Sequence, residues 1–241
     1  MPGHGKFVVV PLYLQVRNLL AERIAAGLWR PGAMLPNEQE LARELGVSPG
    51  TVRKALDSLE QDRLLLRRQG RGTFVADQTS RELAVRFSNI RNSAGQRIVG
   101  ELQLLSQTKG AATATEQERL ELTAGEPIVR TKRLRRDQGR AFMHEEACLA
   151  ASRFPGLEGA DVGSYSISAL AQQHGVHLAR ASERLTLEEA SPEAAGRLAV
   201  APSTPLLKVD RVVFAMSGQP VEWRVGLCHL DDDTAYLAEM H

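Results

Sequence analysis

The chain has 241 residues, of which 43% are hydrophobic and 24% are charged. These fractions are typical of globular proteins and exclude a chain that is disordered throughout. Its apolar stretches are shorter than the ~20 residues that a membrane-spanning helix needs. Two cysteines cannot supply a disulfide framework, and the first residues lack a secretory signal pattern. We therefore expect a cytoplasmic protein with no membrane partner.

The formal net charge of +1 hides an uneven distribution. Residues 1–76 carry eleven Lys and Arg against seven Asp and Glu, whereas the rest of the chain carries nineteen against twenty-two. A basic front with an acidic remainder indicates that any polyanion would bind to the N-terminal third.

The first third of the chain shows the start and stop signals of three helices. Apolar residues between positions 12 and 24 recur with the 3.6-residue period of a helix. Asn37 followed by Glu40 predicts a capping box at the start of a second helix. Ser48 as cap with Pro49 in the first helical position predicts a third helix. The short, glycine-containing connection between the last two is typical of a helix-turn-helix.

A β-hairpin is expected directly after the third helix. Leu64–Arg68 and Thr73–Ala76 have the composition of strands, and the glycine-rich residues 69–72 between them are typical of a tight turn. Three helices followed by a hairpin predict a winged helix-turn-helix over residues 1–76.

The remainder is predicted to be an α+β domain. Residues 77–96 are polar and are interpreted as a linker, which leaves residues 97–241 as a second domain. The alternation of strand and helix signals there indicates a mostly antiparallel sheet with helices packed on it. The predicted strands are Ile98–Thr108, Pro127–Arg136, Ala141–Ala150, Leu178–Glu189, Pro205–Ala215 and Pro220–His229, and the predicted helices are Glu116–Leu122, Ser166–His174 and Pro192–Leu198.

The second domain contains one internal echo. The pattern Pro-Ile-Val-Arg-x-x-Arg at 127–133 returns as Pro-Leu-Leu-Lys-x-x-Arg at 205–211. Each copy leads through a glycine turn into a strand that bears a glutamate, Glu145 or Glu222. Chance similarity of two strands is one interpretation, and two half-sheets that flank one cleft is the other.

Two segments resemble the GntR family of bacterial transcriptional regulators. They are PLYLQVRNLLAERIAAGLWRPG at 11–32 and LPNEQELARELGVSPGTVRKALDSLEQDRLLLRRQGRGTFVA at 35–76. The resemblance implies that the winged helix-turn-helix binds double-stranded DNA. One departure is Pro49, because the family often has arginine there.

DNA contacts are expected from three places in this segment. The first turns of the third helix would enter the major groove, where Arg53 could reach a guanine or a phosphate. Capped helix starts offer backbone N–H groups to phosphates. The hairpin tip could enter a minor groove, although an Arg-rich hairpin that only increases solubility is the plain alternative. The candidate DNA-binding residues are Asn37, Gln39, Ser48, Gly50, Thr51, Arg53, Lys54, Arg68, Gln69, Gly70, Arg71 and Thr73.

The C-terminal part resembles the HutC branch of the same family. The similar segments are RLRRDQGRAFMHEEACL at 133–149, GSYSISALAQQHGV at 163–176 and PLLKVDRVVFAMSGQPVEW at 205–223. The resemblance implies an effector-binding UTRA domain of chorismate-lyase-like fold, which would also hold a homodimer together.

The residues themselves point to an anionic effector. Arg133 and Arg135 are two apart on one strand and therefore share a face, and Glu145 falls within about one residue of Arg133 across the hairpin. Paired arginines suit phosphate or carboxylate groups. The alternative is a structural cross-strand pair, with Ser166 acting only as a helix cap. The effector-binding residues implied by the resemblance are Arg133, Arg135, Glu145, Ser164 or Ser166, and Glu222.

We therefore expect a transcriptional regulator, most simply a repressor, that reads a palindromic operator as a homodimer. A small phosphorylated, phosphonate or carboxylate metabolite would modulate its DNA binding. No catalytic residue, metal site or cofactor is predicted. Two alternatives are a chorismate-lyase-like enzyme fused to a DNA-binding domain, with Glu145 as acid, and a DNA-packaging protein indifferent to sequence.

Overall fold

The computed structural model describes residues 10–77, 87–98, 100–154, 157, 162 and 165–238. Contacts between residues divide the chain into two compact units, Met1–Asp77 and Gln78–His241. The predicted domain limits at residues 76 and 96 stay predictions.

The first unit contains three helices and a β-hairpin, as the sequence predicts. Its core is formed by fully buried leucine and valine side chains, among them Leu20, Leu41, Val52, Leu56 and Leu59. The elements are α1 (Leu12–Ala25), α2 (Glu38–Leu45), α3 (Pro49–Gln61), β1 (Leu65–Arg68) and β2 (Gly72–Val75).

Local capping explains where α2 and α3 begin. The Asn37 side chain accepts hydrogen bonds from the backbone N–H groups of Gln39 and Glu40, and the Glu40 carboxylate accepts one from the Asn37 N–H, at 2.9–3.0 Å. Ser48 Oγ accepts from the Thr51 N–H at 3.1 Å. Gly46 ends α2 in the left-handed conformation with φ +65°, which glycine adopts without strain. The predicted capping box is confirmed.

The second unit is built on β-strands that are, among the described residues, β3 (Ile90–Asn92), β4 (Glu101–Ala111), β5 (Pro127–Asp137), β6 (Arg140–Ala150), β7 (Leu178–Glu189), β8 (Pro205–Ala215), β9 (Pro220–Cys228) and β10 (Thr234–Tyr236). Six of them form an antiparallel sheet in the order β4-β5-β6-β9-β8-β7. A separate two-stranded ribbon pairs β3 with β10. The helices are α4 (Ala114–Leu120), α5 (Ile167–Gln173) and α6 (Pro192–Leu198), with a 3-10 turn at Ala151–Arg153.

The large sheet has a repeated arrangement. The succession β4-α4-β5-β6 is followed by β7-α6-β8-β9, and β6 pairs with β9 in the centre. The strand order therefore reads the same from either edge, one half of the sheet coming from each succession. This topology supports the second interpretation of the sequence echo, because the two similar segments begin the corresponding strands β5 and β8.

The two faces of the sheet are covered differently. Side chains alternate between the faces along each strand. One face packs on α5 through an apolar cluster that includes Val129, Leu149 and Leu170. The opposite face packs on α4 and α6 through two other clusters. The face that carries α5 also carries the candidate effector residues.

The structure differs from the sequence expectations at the start of the second unit. The strand expected at Ile98–Thr108 begins at Glu101, because Gly100 takes a left-handed φ of +70° that interrupts extended backbone. In the predicted linker, residues 87–96 include β3, whereas 78–86 lie outside the described residues. Strands as short as β3 and β10 show too few alternations for a sequence pattern to reveal them.

Candidate functional site

One side of α3 is free of core contacts. Val52, Leu56 and Leu59 are buried, whereas Gly50, Arg53 and Lys54 are exposed and Thr51 is half-buried. The exposed residues lie in the first turns of the helix, the part that enters the major groove in helix-turn-helix proteins. The structure thus places these four candidates on one surface.

Arg53 is held in a defined orientation by Glu38. Its Nε and Nη2 donate to Glu38 Oε2 at 2.9 and 2.8 Å, and 64% of the Arg53 side chain remains exposed. These hydrogen bonds raise the pKa of the guanidinium. The Nη1 end points away from the pair and keeps donors for a base or a phosphate. Sequence reasoning missed Glu38, although it lies next to the cap residue of α2.

The capping residues use their side-chain oxygens as acceptors for helix N–H groups, so only donors such as the Asn37 Nδ2 group could serve a phosphate. The Asn37 and Ser48 oxygens are occupied by helix N–H groups, and Ser48 Oγ lies 2.9 Å from Thr51 Oγ1. Gln39 is exposed beside them. The structure therefore places four candidates at capped helix starts, where the side-chain oxygens bind the helix backbone. They are Asn37, Gln39, Ser48 and Thr51.

The hairpin tip exposes Arg68, Gln69, Gly70 and Arg71, and Thr73 is half-buried behind them. Gly70 has a φ of +69°, which suits the tight turn. The Arg68 guanidinium lies 5.0 Å from the centre of the Phe74 ring, a cation–π distance that orients it. The structure brings these five candidates together at one end of the hairpin.

Arg67 does not belong to this surface. Its guanidinium lies 2.5 Å from Asp57 and 3.4 Å from Glu60, both on α3, and 3.8 Å from Glu38. It therefore fastens the hairpin to the helix, although 37% of its side chain is exposed.

A buried ion cluster occupies the α5 face of the second unit, and Glu145 is its centre. The Glu145 side chain is fully buried, with Arg133 Nε at 2.7 Å, Arg135 Nε at 2.9 Å and Arg224 Nη1 at 3.3 Å from its oxygens. Arg133 Nη2 lies 3.6 Å from the buried Glu222. Arg133 pairs directly with Glu145 between β5 and β6, as the hairpin register indicates.

Two further arginines complete the cluster, and sequence reasoning missed both. Arg211 on β8 pairs in register with Arg224 on β9, so both guanidiniums lie on the same face. Glu183 on β7 binds Arg211. The sequence echo could have indicated Arg211, because it corresponds to Arg133 in the repeated segment. Arg224 could have been predicted from Glu222, because residues two positions apart on a strand lie on the same face.

Burial and the neighbouring charges shift the pKa values of Glu145, Arg211 and Arg135. Burial alone would raise the pKa of Glu145, but Arg133, Arg135 and Arg224 hold it well below its usual range. Burial and the neighbouring Arg224 lower the pKa of Arg211 to about 10. Burial lowers the pKa of Arg135 as well. Glu145 is therefore ionised at neutral pH, and the arginines are charged.

The cluster has more positive than negative charge. Among the described residues it contains four buried arginines and three glutamates, Glu145, Glu183 and Glu222. A cavity of about 30 Å³ lies against it, with Arg135, Arg211, Arg224 and Ser166 in its lining. This volume holds about one water molecule.

Ser166 lies at this cavity as the cap of α5. Its Oγ accepts a hydrogen bond from the Ala169 N–H at 3.2 Å. Ser164, the other candidate serine, lies outside the described residues. The structure thus brings together Arg133, Arg135, Glu145, Ser166 and Glu222 on one face, with Ser166 serving at least as a helix cap.

A larger cleft of about 610 Å³ lies on the opposite face, between α4 and α6. Its two cations are already neutralised, since Arg130 binds Glu116 at 2.7 Å and Lys132 binds Glu146 at 2.7 Å. Because none of the predicted effector residues lines it, this cleft is a poorer candidate for the anion site despite its size.

Family comparisons agree with both units. Residues 12–75 match the model of the bacterial regulatory proteins of the gntR family, and residues 96–232 match that of the UTRA domain. The chain belongs to the GntR family. It is a transcriptional regulator of the type that joins a helix-turn-helix to a UTRA domain.

Two similar proteins align with nearly the whole chain, and a third aligns with half of it. The HTH-type transcriptional regulator YurK of Bacillus subtilis is 30% identical over 91% of each chain. The regulator Rv0792c of Mycobacterium tuberculosis is 32% identical over 88% of this chain and 80% of its own. The histidine utilization repressor of Pseudomonas putida is 34% identical over about half of each chain, 49% and 48%.

Solved structures show the same fold. The ligand-binding domain of a GntR-family regulator from Bordetella bronchiseptica is 29% identical, with a TM-score of 0.56 over 65% of this chain and 98% of its own. PhnF from Mycobacterium smegmatis is 25% identical, with a TM-score of 0.55 over 94% and 99%. These matches confirm the predicted α+β fold class. In the part of the chain that the structure describes, no helix is long and apolar enough to cross a membrane.

Proposed function

We propose that this GntR regulator is a cytoplasmic repressor whose operator binding is opposed by a small anionic effector. It would bind a palindromic operator as a homodimer, with one helix-turn-helix on each half-site. Relatives named as repressors support the direction of regulation, among them the histidine utilization repressors and NagR of Bacillus subtilis.

The positive surplus of the buried cluster carries the effector proposal. Burying a charge without compensation is unfavourable, so a cluster with one more cation than anion favours an added anion. One donor supports the same conclusion, because Arg133 Nη2 is buried and makes no hydrogen bond among the described residues, its ion-pair partner Glu222 being 3.6 Å away. A phosphorylated, phosphonate or carboxylate metabolite would supply the charge and the acceptors.

Thermal unfolding of the full chain tests this site. The panel contains glucose 6-phosphate, methylphosphonate, urocanate and citrate, and binding of one of them should raise Tm. Arg133→Ala should abolish the increase. Arg136→Ala is the matched control, because Arg136 lies on the same strand but hydrogen-bonds to Gln103 away from the cluster. An equal increase in all three proteins would contradict the proposed site.

Operator binding tests the DNA surface and its link to the effector. Operator DNA should bind far more tightly than random DNA at the same salt concentration, and an anion that raises Tm should weaken that binding. Arg53→Ala should reduce discrimination between sequences. Arg71→Ala should weaken binding to all sequences and lower the salt slope by about 1. Equal affinity for random DNA would indicate the packaging alternative.

The geometry argues against the enzymatic alternative. A general acid must carry a proton near neutral pH. Arg133, Arg135 and Arg224 hold Glu145 ionised, which removes the acid on which the lyase hypothesis depends. Turnover of chorismate by the full chain would contradict this reasoning.

A further inference from the structure

The two oxygens of Glu183 bind two different parts of the second unit. Oε1 accepts from the Arg211 guanidinium in the buried cluster. Oε2 accepts from Asn89 Nδ2 at 3.0 Å and from the Tyr236 hydroxyl. Asn89 Nδ2 also lies 2.9 Å from the Tyr236 oxygen. The carboxylate of Glu183 therefore joins the buried ion cluster to the β3–β10 ribbon.

The ribbon forms one wall of the cavity, and its Ile90 is buried in an apolar cluster with Phe142 and Val209 of the sheet. Ser88, Asn89, Ile90 and Tyr236 line it on one side, and strands of the large sheet line it on the other. Each of the strands β5, β6, β8 and β9 is paired along both edges over many positions. In contrast, β3 pairs with β10 over three positions and on its other edge makes a single bridge, from Arg91 to Arg97. Short two-stranded ribbons have little stability of their own. The start of α5 also lines the cavity, but the ribbon is paired over the fewest positions, so we expect an anion too large for about 30 Å³ to displace the ribbon.

The ribbon also follows the DNA-binding unit closely in the chain. The first unit ends at Asp77, and the first residues of the second unit that the structure describes, 87–92, include Asn89 and β3. β3 thus lies close in sequence to the end of the DNA-binding unit.

We propose that Arg211 binds the effector and that Glu183 is its resident counter-ion and a latch. This inference rests on the anionic effector proposed above. An incoming anion takes the place of Glu183 Oε1 at Arg211, because one guanidinium cannot hold two anions in the same position. The displaced Glu183 lies on the edge strand β7 and moves toward water. Asn89 and Tyr236 then lose their shared acceptor, and the ribbon loosens.

Hydrogen–deuterium exchange of the full chain tests the latch without any ligand. Glu183→Gln keeps the shape of the side chain and removes its charge. Exchange in peptides covering 87–92 and 234–238 should accelerate by about tenfold or more, as the loss of a charge-assisted hydrogen bond implies. Tyr236→Phe, which removes only a hydroxyl, should accelerate the same peptides. Glu188→Gln is the control, because that residue lies on β7 but binds the exposed Lys208.

A second exchange experiment adds an effector, namely whichever anion of the thermal-unfolding panel raises Tm. That anion should accelerate exchange of the same peptides in the wild type and add nothing in Glu183→Gln. Unchanged exchange in both Glu183→Gln and Tyr236→Phe would overturn the latch. An anion that raises Tm without changing exchange in the ribbon would overturn the displacement step. If no anion raises Tm, the proposed effector site fails, and the two variants alone decide the latch.

Discussion

Replacing Glu145 by glutamine tests whether the arginine cluster depends on its central carboxylate. The side chain is fully buried, and three guanidiniums lie within 3.3 Å of its oxygens. Removing one partner of a buried ion pair costs about 3–5 kcal/mol, because the charges left behind stay buried. Glutamine keeps one acceptor oxygen, so we expect the lower end, about 3 kcal/mol. At about 2–4 °C per kcal/mol, Tm should fall by about 6–12 °C.

Urea unfolding followed by tryptophan fluorescence measures this loss. The chain has two tryptophans, and Trp29→Phe leaves Trp223 as a reporter in the second unit. Glu188→Gln is the control, since its pair with Lys208 is 33–44% exposed and such pairs contribute about 0–1 kcal/mol. Sulfate should restore part of the stability of Glu145→Gln by supplying negative charge. A loss no larger than that of the control would refute the reasoning.

Three further predictions concern single positions. Gly100→Ala should lower the free energy of unfolding by about 2–4 kcal/mol, because its Cβ would lie 2.6 Å from a phenylalanine ring at positive φ. Gly139→Ala, with positive φ but open space, should lose only about 1–2 kcal/mol in the same urea titration, and equal losses would contradict the steric explanation. Hydrogen bonds from a neighbouring arginine lower the pKa of Glu116 to about 2, so stability should fall as pH drops from about 4.5 toward 2, and Glu116→Gln should flatten this fall. Burial raises the pKa values of Cys148 and Cys228 to about 12, so iodoacetamide at pH 8 should modify them only after unfolding; rapid native modification would be the opposite result.

Local signals were sufficient for most elements. Asn37, Ser48 and Ser191 cap helices through their own neighbours, so the helix starts could be predicted from a few residues. The turn between β5 and β6 placed Arg133 opposite Glu145 because a short hairpin determines its own register. The steric requirement for glycine at position 100 could not be predicted, because the Phe142 ring that fills the space beside it comes from β6.

The candidate effector site was only partly predictable. Arg133, Arg135 and Glu145 belong to one hairpin, and their shared face follows from alternation along the strands. Arg211 and Glu183 enter the cluster from β8 and β7, far along the chain. An alternating pattern does not distinguish a buried arginine from an exposed one, because arginine counts as a polar residue in the pattern in either case.

By itself, the sequence determined the helix-turn-helix, its caps and hairpin, the six strands of the large sheet and the core of the proposed anion site. These features depend on contacts between residues a few positions apart, which a sequence pattern records directly. Only the tertiary structure decided that β6 and β9 meet in the centre of the sheet. That pairing joins two hairpins that are distant in the chain and brings Arg133, Arg135 and Glu145 next to Arg211 and Arg224 on one face. The contacts of Glu183 with Asn89 and Tyr236 likewise join segments that no local pattern connects.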